Sequence, residues 1–201
     1  ILEMAQLKKT GTCKKLLAMG CLTQLYKGDL TKEIPEIDAV VGTGEYQRVV
    51  DILDNVNKGN KVEAVHKPVY VYDHIVPRHL CTLSHTAYVK ISEGCDHVCS
   101  FCIIPRLRGK QRSRPMESIV EEVKQLGKKG VKEINLIAQD LTDYGKDIYG
   151  KHRLISLLKE LNKVENIRWI RLMYTYPSLV TDELIDTIAN CEKIAKYIDV
   201  P

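Results

Sequence analysis

The chain has no apolar run that approaches the roughly 18 residues of a membrane-spanning helix. It also lacks the basic and then apolar leader of a secretory signal peptide. Charge of one sign is not in excess, because 30 basic and 26 acidic residues leave a formal net charge of +4. Such a charge tolerates nucleic acid or a ribosomal surface but requires neither. These absences predict a cytoplasmic protein without a membrane partner.

The number of cysteines in the sequence is odd. Secreted disulfide frameworks usually have an even number in a shorter chain, whereas this chain of 201 residues has 7 cysteines. Three of them, Cys95, Cys99 and Cys102, lie within one short segment. Thiols that bind a metal in a reducing compartment explain this pattern better than disulfides do.

Alternating β and α patterns lie on both sides of an irregular stretch. In the N-terminal part we predict buried strands at 16–21 and 39–42, followed by a helix with one apolar face. From residue 86 onward, strand and helix patterns repeat, with predicted strands at 86–92, 132–138 and 167–173 and a fourth at 194–200. We therefore predict an α/β fold: a partial doubly wound N-terminal domain, then the first half of a (β/α) partial TIM-type barrel.

The predicted domain boundaries follow from these patterns. Residues 1–59 form the C-terminal part of an N-terminal α/β domain, 60–85 form a linker that carries two prolines and, among its histidines, His74, His79 and His85, and 86–201 form a truncated barrel domain. A closed barrel needs eight strands, and the chain does not begin with Met. We therefore expect a piece of a longer protein that shows no turnover by itself.

The spacing of Cys95, Cys99 and Cys102 predicts the chemistry. Three thiolates can bind three corners of an iron–sulfur cube and leave the fourth iron open to a ligand that is not protein. Such an open iron can act on a bound molecule. A zinc site that also uses His97 is an alternative, and three unligated core cysteines are another.

Further polar residues follow the predicted strands. Gln139 and Asp140 come directly after the second strand of the barrel region, and Tyr174–Pro177 come after the third. The working face of a parallel barrel lies at these strand ends. We therefore expect both segments to lie at the same mouth as the cysteine loop.

The motif resembles a known signature. Cys-x3-Cys-x2-Cys with an aromatic residue before the third cysteine is similar to that of radical S-adenosylmethionine enzymes. The residues that follow the motif are similar to those found at this place in the methylthiotransferase family. They are Ile104-Pro105, Arg108-Gly109 and Ser113-Arg114-Pro115. Within that family the chain most resembles the RimO type, which modifies an aspartate of a small-subunit ribosomal protein. The segments that carry this resemblance are Leu136–Asp140, Tyr144-Gly145 and Arg171–Pro177. Its tRNA-modifying relatives typically have Gly-Gln-Asn in place of Ala138-Gln139-Asp140.

This resemblance implies a transferase with two cofactors at one site. A 4Fe-4S cluster on the three cysteines would bind S-adenosylmethionine at its open iron, and an electron donor would be needed. The partner would be a small-subunit ribosomal protein. Methylthiolation of a tRNA adenosine is the alternative, and a zinc-binding module without catalysis is an alternative of another class.

The resemblance also implies roles for single residues. Phe101 would lie against the adenine of S-adenosylmethionine, and Gln139 would contact its methionine end. Arg108 is a further candidate for contact with S-adenosylmethionine. It belongs to a segment in which basic residues occur at alternate positions, and this pattern predicts either an anion-binding loop or a solvated one. No residue is assigned a catalytic role.

Cys21 lies in a second motif of the same kind. The segment 19–24 resembles the last cysteine motif of the family's N-terminal domain, which holds a second, auxiliary 4Fe-4S cluster through three cysteines. Only Cys21 matches here, and Cys13 lies outside any matching motif. The other ligands of that cluster are therefore absent from this chain.

Overall fold

The computed structural model describes residues 1–81 and 83–200. Their contacts divide the chain into two compact units, one formed by 1–70 and 98–109 and the other by 71–97 and 110–201. The division at 59 and 85 expected from the sequence stays a prediction. No described helix has the length and apolar character needed to cross a membrane.

The first unit contains a parallel sheet of three short strands. Its elements are α1 (Leu2–Lys9), β1 (Leu17–Met19), α2 (Cys21–Glu33), β2 (Ala39–Val41), a 3-10 turn (Tyr46–Arg48), α3 (Val49–Asn57), β3 (Val62–Ala64) and α4 (Ile104–Arg108). The strand order is β1-β2-β3. Ala18 and Val40 pack into one apolar cluster, and Ala39 and Val41 pack into another with Ile52 of α3. Because apolar clusters lie on both faces, the sheet is doubly wound, as predicted.

The second unit contains a longer parallel sheet. Its elements are β4 (Thr86–Lys90), β5 (Ser92–Glu93), β6 (Arg112–Ser113), α5 (Met116–Lys128), β7 (Glu133–Ile137), α6 (Lys146–Tyr149), α7 (Leu154–Asn162), β8 (Trp169–Leu172), a 3-10 turn (Pro177–Leu179) and α8 (Asp182–Asn190). The strand order is β4-β7-β8, and β5 pairs with β6 in a separate antiparallel ribbon. The α/β class with parallel sheets is confirmed.

One face of this second sheet forms the main core. Buried residues that alternate along its strands pack with the leucines and isoleucines of α5, α7 and α8. Because β4, β7 and β8 pair in parallel, their carboxyl-terminal ends lie at the same edge of the sheet. The segments after β4, β7 and β8 leave from that edge, and the cysteine loop follows β4 by way of β5.

The fourth strand predicted at 194–200 is not formed over that range. Ile194 forms a single parallel bridge with Ile170, in which the backbone N–H of Ala195 donates to the Ile170 carbonyl at 2.9 Å, and no described residue after Ala195 pairs with β8. The reason is local. The backbone carbonyl and the carboxylate of Asp199 accept hydrogen bonds from the backbone of Thr175 and Tyr174, both at 2.9 Å. These bonds tie the segment to the loop after β8 instead of to the strand.

Candidate active site

The first part of the cysteine loop, residues 94–97, is held by side-chain and backbone groups from other segments of the second unit. The backbone N–H of Gly94 donates to Gln139 Oε1 at 2.7 Å. The backbone N–H of Gln111 donates to Asp96 Oδ1 at 3.1 Å. His97 Nε2 lies 2.6 Å from Asp140 Oδ2. Buried Cys95 therefore lies within a segment that is fixed on both sides.

The second part of the loop, residues 98–102, belongs to the first unit and is more open. The backbone N–H of Cys102 donates to the Cys99 carbonyl at 3.0 Å. Val98 is 95% exposed and Phe101 is 91% exposed. Cys99 is half-buried and Cys102 is exposed. The aromatic side chain predicted to lie against an adenine is therefore accessible to a ligand.

The donor set fits an iron–sulfur cluster by its chemistry. None of the cysteines in the described part of the chain is in a disulfide, and cysteine thiolates are the usual ligands of iron in such clusters. Within residues 1–81 and 83–200, however, no three His, Cys, Asp or Glu side chains are gathered as a metal site. The assignment of Cys95, Cys99 and Cys102 therefore stays a prediction from their spacing and chemistry.

Cys21 and Arg108 meet in the first unit. Cys21 is the first residue of α2, and Arg108 Nη2 donates to its Sγ at 3.4 Å. The carbonyl of Leu107, the residue before Arg108, accepts a hydrogen bond from Thr43 Oγ1 at 3.1 Å, which fixes α4. The predicted contact of Arg108 with S-adenosylmethionine stays a prediction. In the structure its guanidinium contacts the sulfur of the other predicted cluster motif.

Polar groups beside the loop include two that the sequence did not single out. Gln111 is 5% exposed, and in the part of the chain that the structure describes neither atom of its side-chain amide has a hydrogen-bond partner. Asp143 is buried three residues after Asp140. Burial raises the pKa of the Asp143 carboxyl above its ordinary 3.8, against the opposing effect of Lys146 and His152. No motif in the sequence marks either residue.

The comparisons with known proteins place this site in a family. The model of the Radical SAM superfamily matches residues 89–201, which include all three cysteines of the loop. The chain therefore belongs to the radical SAM superfamily.

Its relatives narrow the resemblance within that superfamily. The ribosomal protein uS12 methylthiotransferase RimO of Caldanaerobacter subterraneus is 53% identical over 201 residues, which are 100% of this chain and 46% of that protein. The RimO of a Thermoanaerobacter species is 50% identical with the same coverage. The chain thus spans just under half the length of the curated relatives it matches.

A solved structure supports the fold alone. The radical S-adenosylmethionine methyltransferase TsrM of Kitasatospora setae aligns with a TM-score of 0.65 and 16% identity, over 96% of this chain and 42% of that one. At this identity the similarity concerns the architecture. The α/β arrangement predicted from the sequence is thus shared with a radical S-adenosylmethionine enzyme.

Proposed function

We propose that this chain is part of a radical S-adenosylmethionine methylthiotransferase whose substrate is an aspartate of ribosomal protein uS12. The observation that carries the proposal is the match of the whole chain, at about half identity, to relatives named for that activity. The complete cysteine motif lies inside the matched region. This substrate is preferred to tRNA because the same relatives are named for the ribosomal protein.

Cys95, Cys99 and Cys102 would hold a 4Fe-4S cluster with one open iron, where S-adenosylmethionine would bind. When bound, the cluster and S-adenosylmethionine would supply one-electron reductive chemistry that yields a carbon-centred radical. Cys21 would supply one ligand of a second 4Fe-4S cluster in the full-length protein. An electron donor would complete the system.

The residues of the chain itself would bind and orient. Exposed Phe101 can cover a flat apolar surface such as an adenine. Gln139 Oε1 accepts a hydrogen bond from the backbone N–H of Gly94 at 2.7 Å. Gln139 would thereby keep the cysteine loop at the strand ends, beside the methionine end of S-adenosylmethionine. Both residues would act in binding. Their substitution should therefore lower the affinity for S-adenosylmethionine more than the rate of the chemical step.

The activity is tested in cells that lack the full-length protein. Mass spectrometry of uS12 should show loss of one methylthio group, which the wild-type gene restores and a C99S gene does not. A lost methylthio group on a tRNA adenosine, with uS12 unchanged, would replace the proposed substrate by the alternative. If neither substrate changes, the proposed function is wrong.

The cofactor is tested on the purified full-length protein. Anaerobic reconstitution should yield iron and sulfide together, with the visible absorption of a 4Fe-4S cluster. Zinc at one per chain without iron would end the radical interpretation and favour a zinc-binding module.

A further inference from the structure

Four residues at the strand ends of the second unit are connected in a closed series of contacts. The backbone N–H of Tyr176 donates to Thr142 Oγ1 at 3.1 Å, and the Thr142 hydroxyl donates to Asp140 Oδ1 at 2.5 Å. The other carboxylate oxygen of Asp140 accepts from His97 Nε2 at 2.6 Å. The His97 ring stacks on the Tyr176 ring with centroids 3.9 Å apart and planes at 16°. We call these four residues the anchoring circuit.

The donors and acceptors of this circuit are mutually consistent. A hydroxyl has one hydrogen to donate and accepts at its lone pairs, so Thr142 can serve Asp140 and Tyr176 at once. Asp140 also accepts from the backbone N–H of Thr142 at 2.8 Å, which fixes the carboxylate that receives His97. Because Asp140 is 2% exposed, each of these bonds is shielded from competing water.

The circuit joins three loops that are distant in sequence. His97 lies in the cysteine loop, two residues from Cys95 and two from Cys99, while Asp140 and Thr142 follow β7 and Tyr176 follows β8. A histidine in a loop without regular structure would otherwise sample several rotamers. Here its ring is restrained by a hydrogen bond at one edge and by stacking on its face.

We propose that the anchoring circuit fixes the conformation of residues 94–97 of the cysteine loop before any cofactor binds, with Thr142 and Asp140 as positioning residues. The inference rests on the proposed function only for the identity of the cofactor. Pre-organisation lowers the entropy that binding must overcome. The circuit therefore raises the affinity of the loop for its cluster and of the cluster site for S-adenosylmethionine.

The test uses Thr142, because among the described residues its hydroxyl contacts Asp140 and the backbone of Tyr176, and it reaches the loop through them. T142V in the full-length protein removes the hydroxyl at nearly constant volume, and T142S restores it. T187V is the matched control, since Thr187 is also buried and its hydroxyl donates to the backbone carbonyl of Glu183 at 2.7 Å within α8. Any general effect of a buried valine is therefore shared by T142V and T187V.

The first measurement is hydrogen exchange of residues 94–97 in the cluster-free full-length protein. T142V should exchange roughly tenfold faster, the ratio that corresponds to one lost buried hydrogen bond. T142S and T187V should stay near wild type. If T142V and T187V exchange alike, the circuit does not position the loop.

The second measurement is the dissociation constant of S-adenosylmethionine, followed by the change in the electron paramagnetic resonance spectrum of the reduced cluster. T142V should weaken binding by roughly tenfold and T142S should recover it. Unchanged binding in T142V would overturn the link between loop order and the cofactor. Failure of the wild-type protein to bind iron would overturn the proposed function instead, while the exchange result would still decide the circuit.

Discussion

The two parts of the cysteine loop differ in how the chain supports them. Residues 94–97 are held by side-chain and backbone groups from β6, β7 and β8 or the loops beside them, whereas residues 98–102 present Val98 and Phe101 almost fully to solvent. The first part has its geometry determined by the sheet. The second offers apolar surface, which suits contact with a bound molecule. One motif thus combines a fixed segment with an accessible one.

The largest expected effect, on cluster content and activity, comes from removing the thiol of Cys95 in the fixed segment 94–97. C95S in the full-length protein should lose the cluster of this loop and all methylthiolation, because a hydroxyl is a poor ligand for iron in such clusters. Iron content and visible absorption after reconstitution measure the loss. C191S is the matched control, a half-buried cysteine next to the end of α8 that should keep the full content. Equal iron in C95S and wild type would contradict the ligand assignment.

A smaller effect is expected at Gln139. Q139A leaves the buried backbone N–H of Gly94 without its acceptor, which should cost about 1–3 kcal/mol in the free energy of unfolding. Q139E keeps an acceptor at this position and should be closer to wild type. Denaturant unfolding of the cluster-free protein measures both. Equal stability of Q139A and wild type would show that the bond does not hold the fixed part.

Phe101 should show the opposite behaviour. F101A removes an exposed side chain, so the free energy of unfolding should change by less than about 0.5 kcal/mol. Affinity for S-adenosylmethionine should nevertheless fall roughly tenfold, since a stacked aromatic side chain contributes about 1 kcal/mol or more. V98A, a similarly exposed apolar position, serves as control for the titration. An unchanged dissociation constant in F101A would remove its binding role.

The smallest expected effect concerns the pH dependence of stability. Because the pKa of Asp143 is raised in the folded chain, the native state binds more protons than the unfolded state from about pH 4 upward. The free energy of unfolding should therefore fall as pH rises through that window. D143N should flatten this fall, while D186N on α8 should not. Parallel curves of melting temperature against pH for wild type and D143N would contradict the shift.

The helices and strands of the second unit were largely predictable. The strand expected at 132–138 is observed at Glu133–Ile137, and the one expected at 167–173 is observed at Trp169–Leu172. Their buried residues alternate or run continuously, which is the pattern that sequence periodicity detects. The helices α1 and α2 were missed, because each buries a single residue fully and shows no continuous apolar face.

The sequence alone determined the family of this protein, its parallel α/β class and the three thiols with their spacing. These features are local or periodic, so neighbouring residues suffice to express them. Only the tertiary structure decided that Asp140 receives His97, that Gln139 holds Gly94 and that Arg108 meets the sulfur of Cys21. These partners lie 43, 45 and 87 residues apart. Polar side chains carry no periodic signal of their partners, so parallel strands and packed helices had to bring them together before the pairing could be seen.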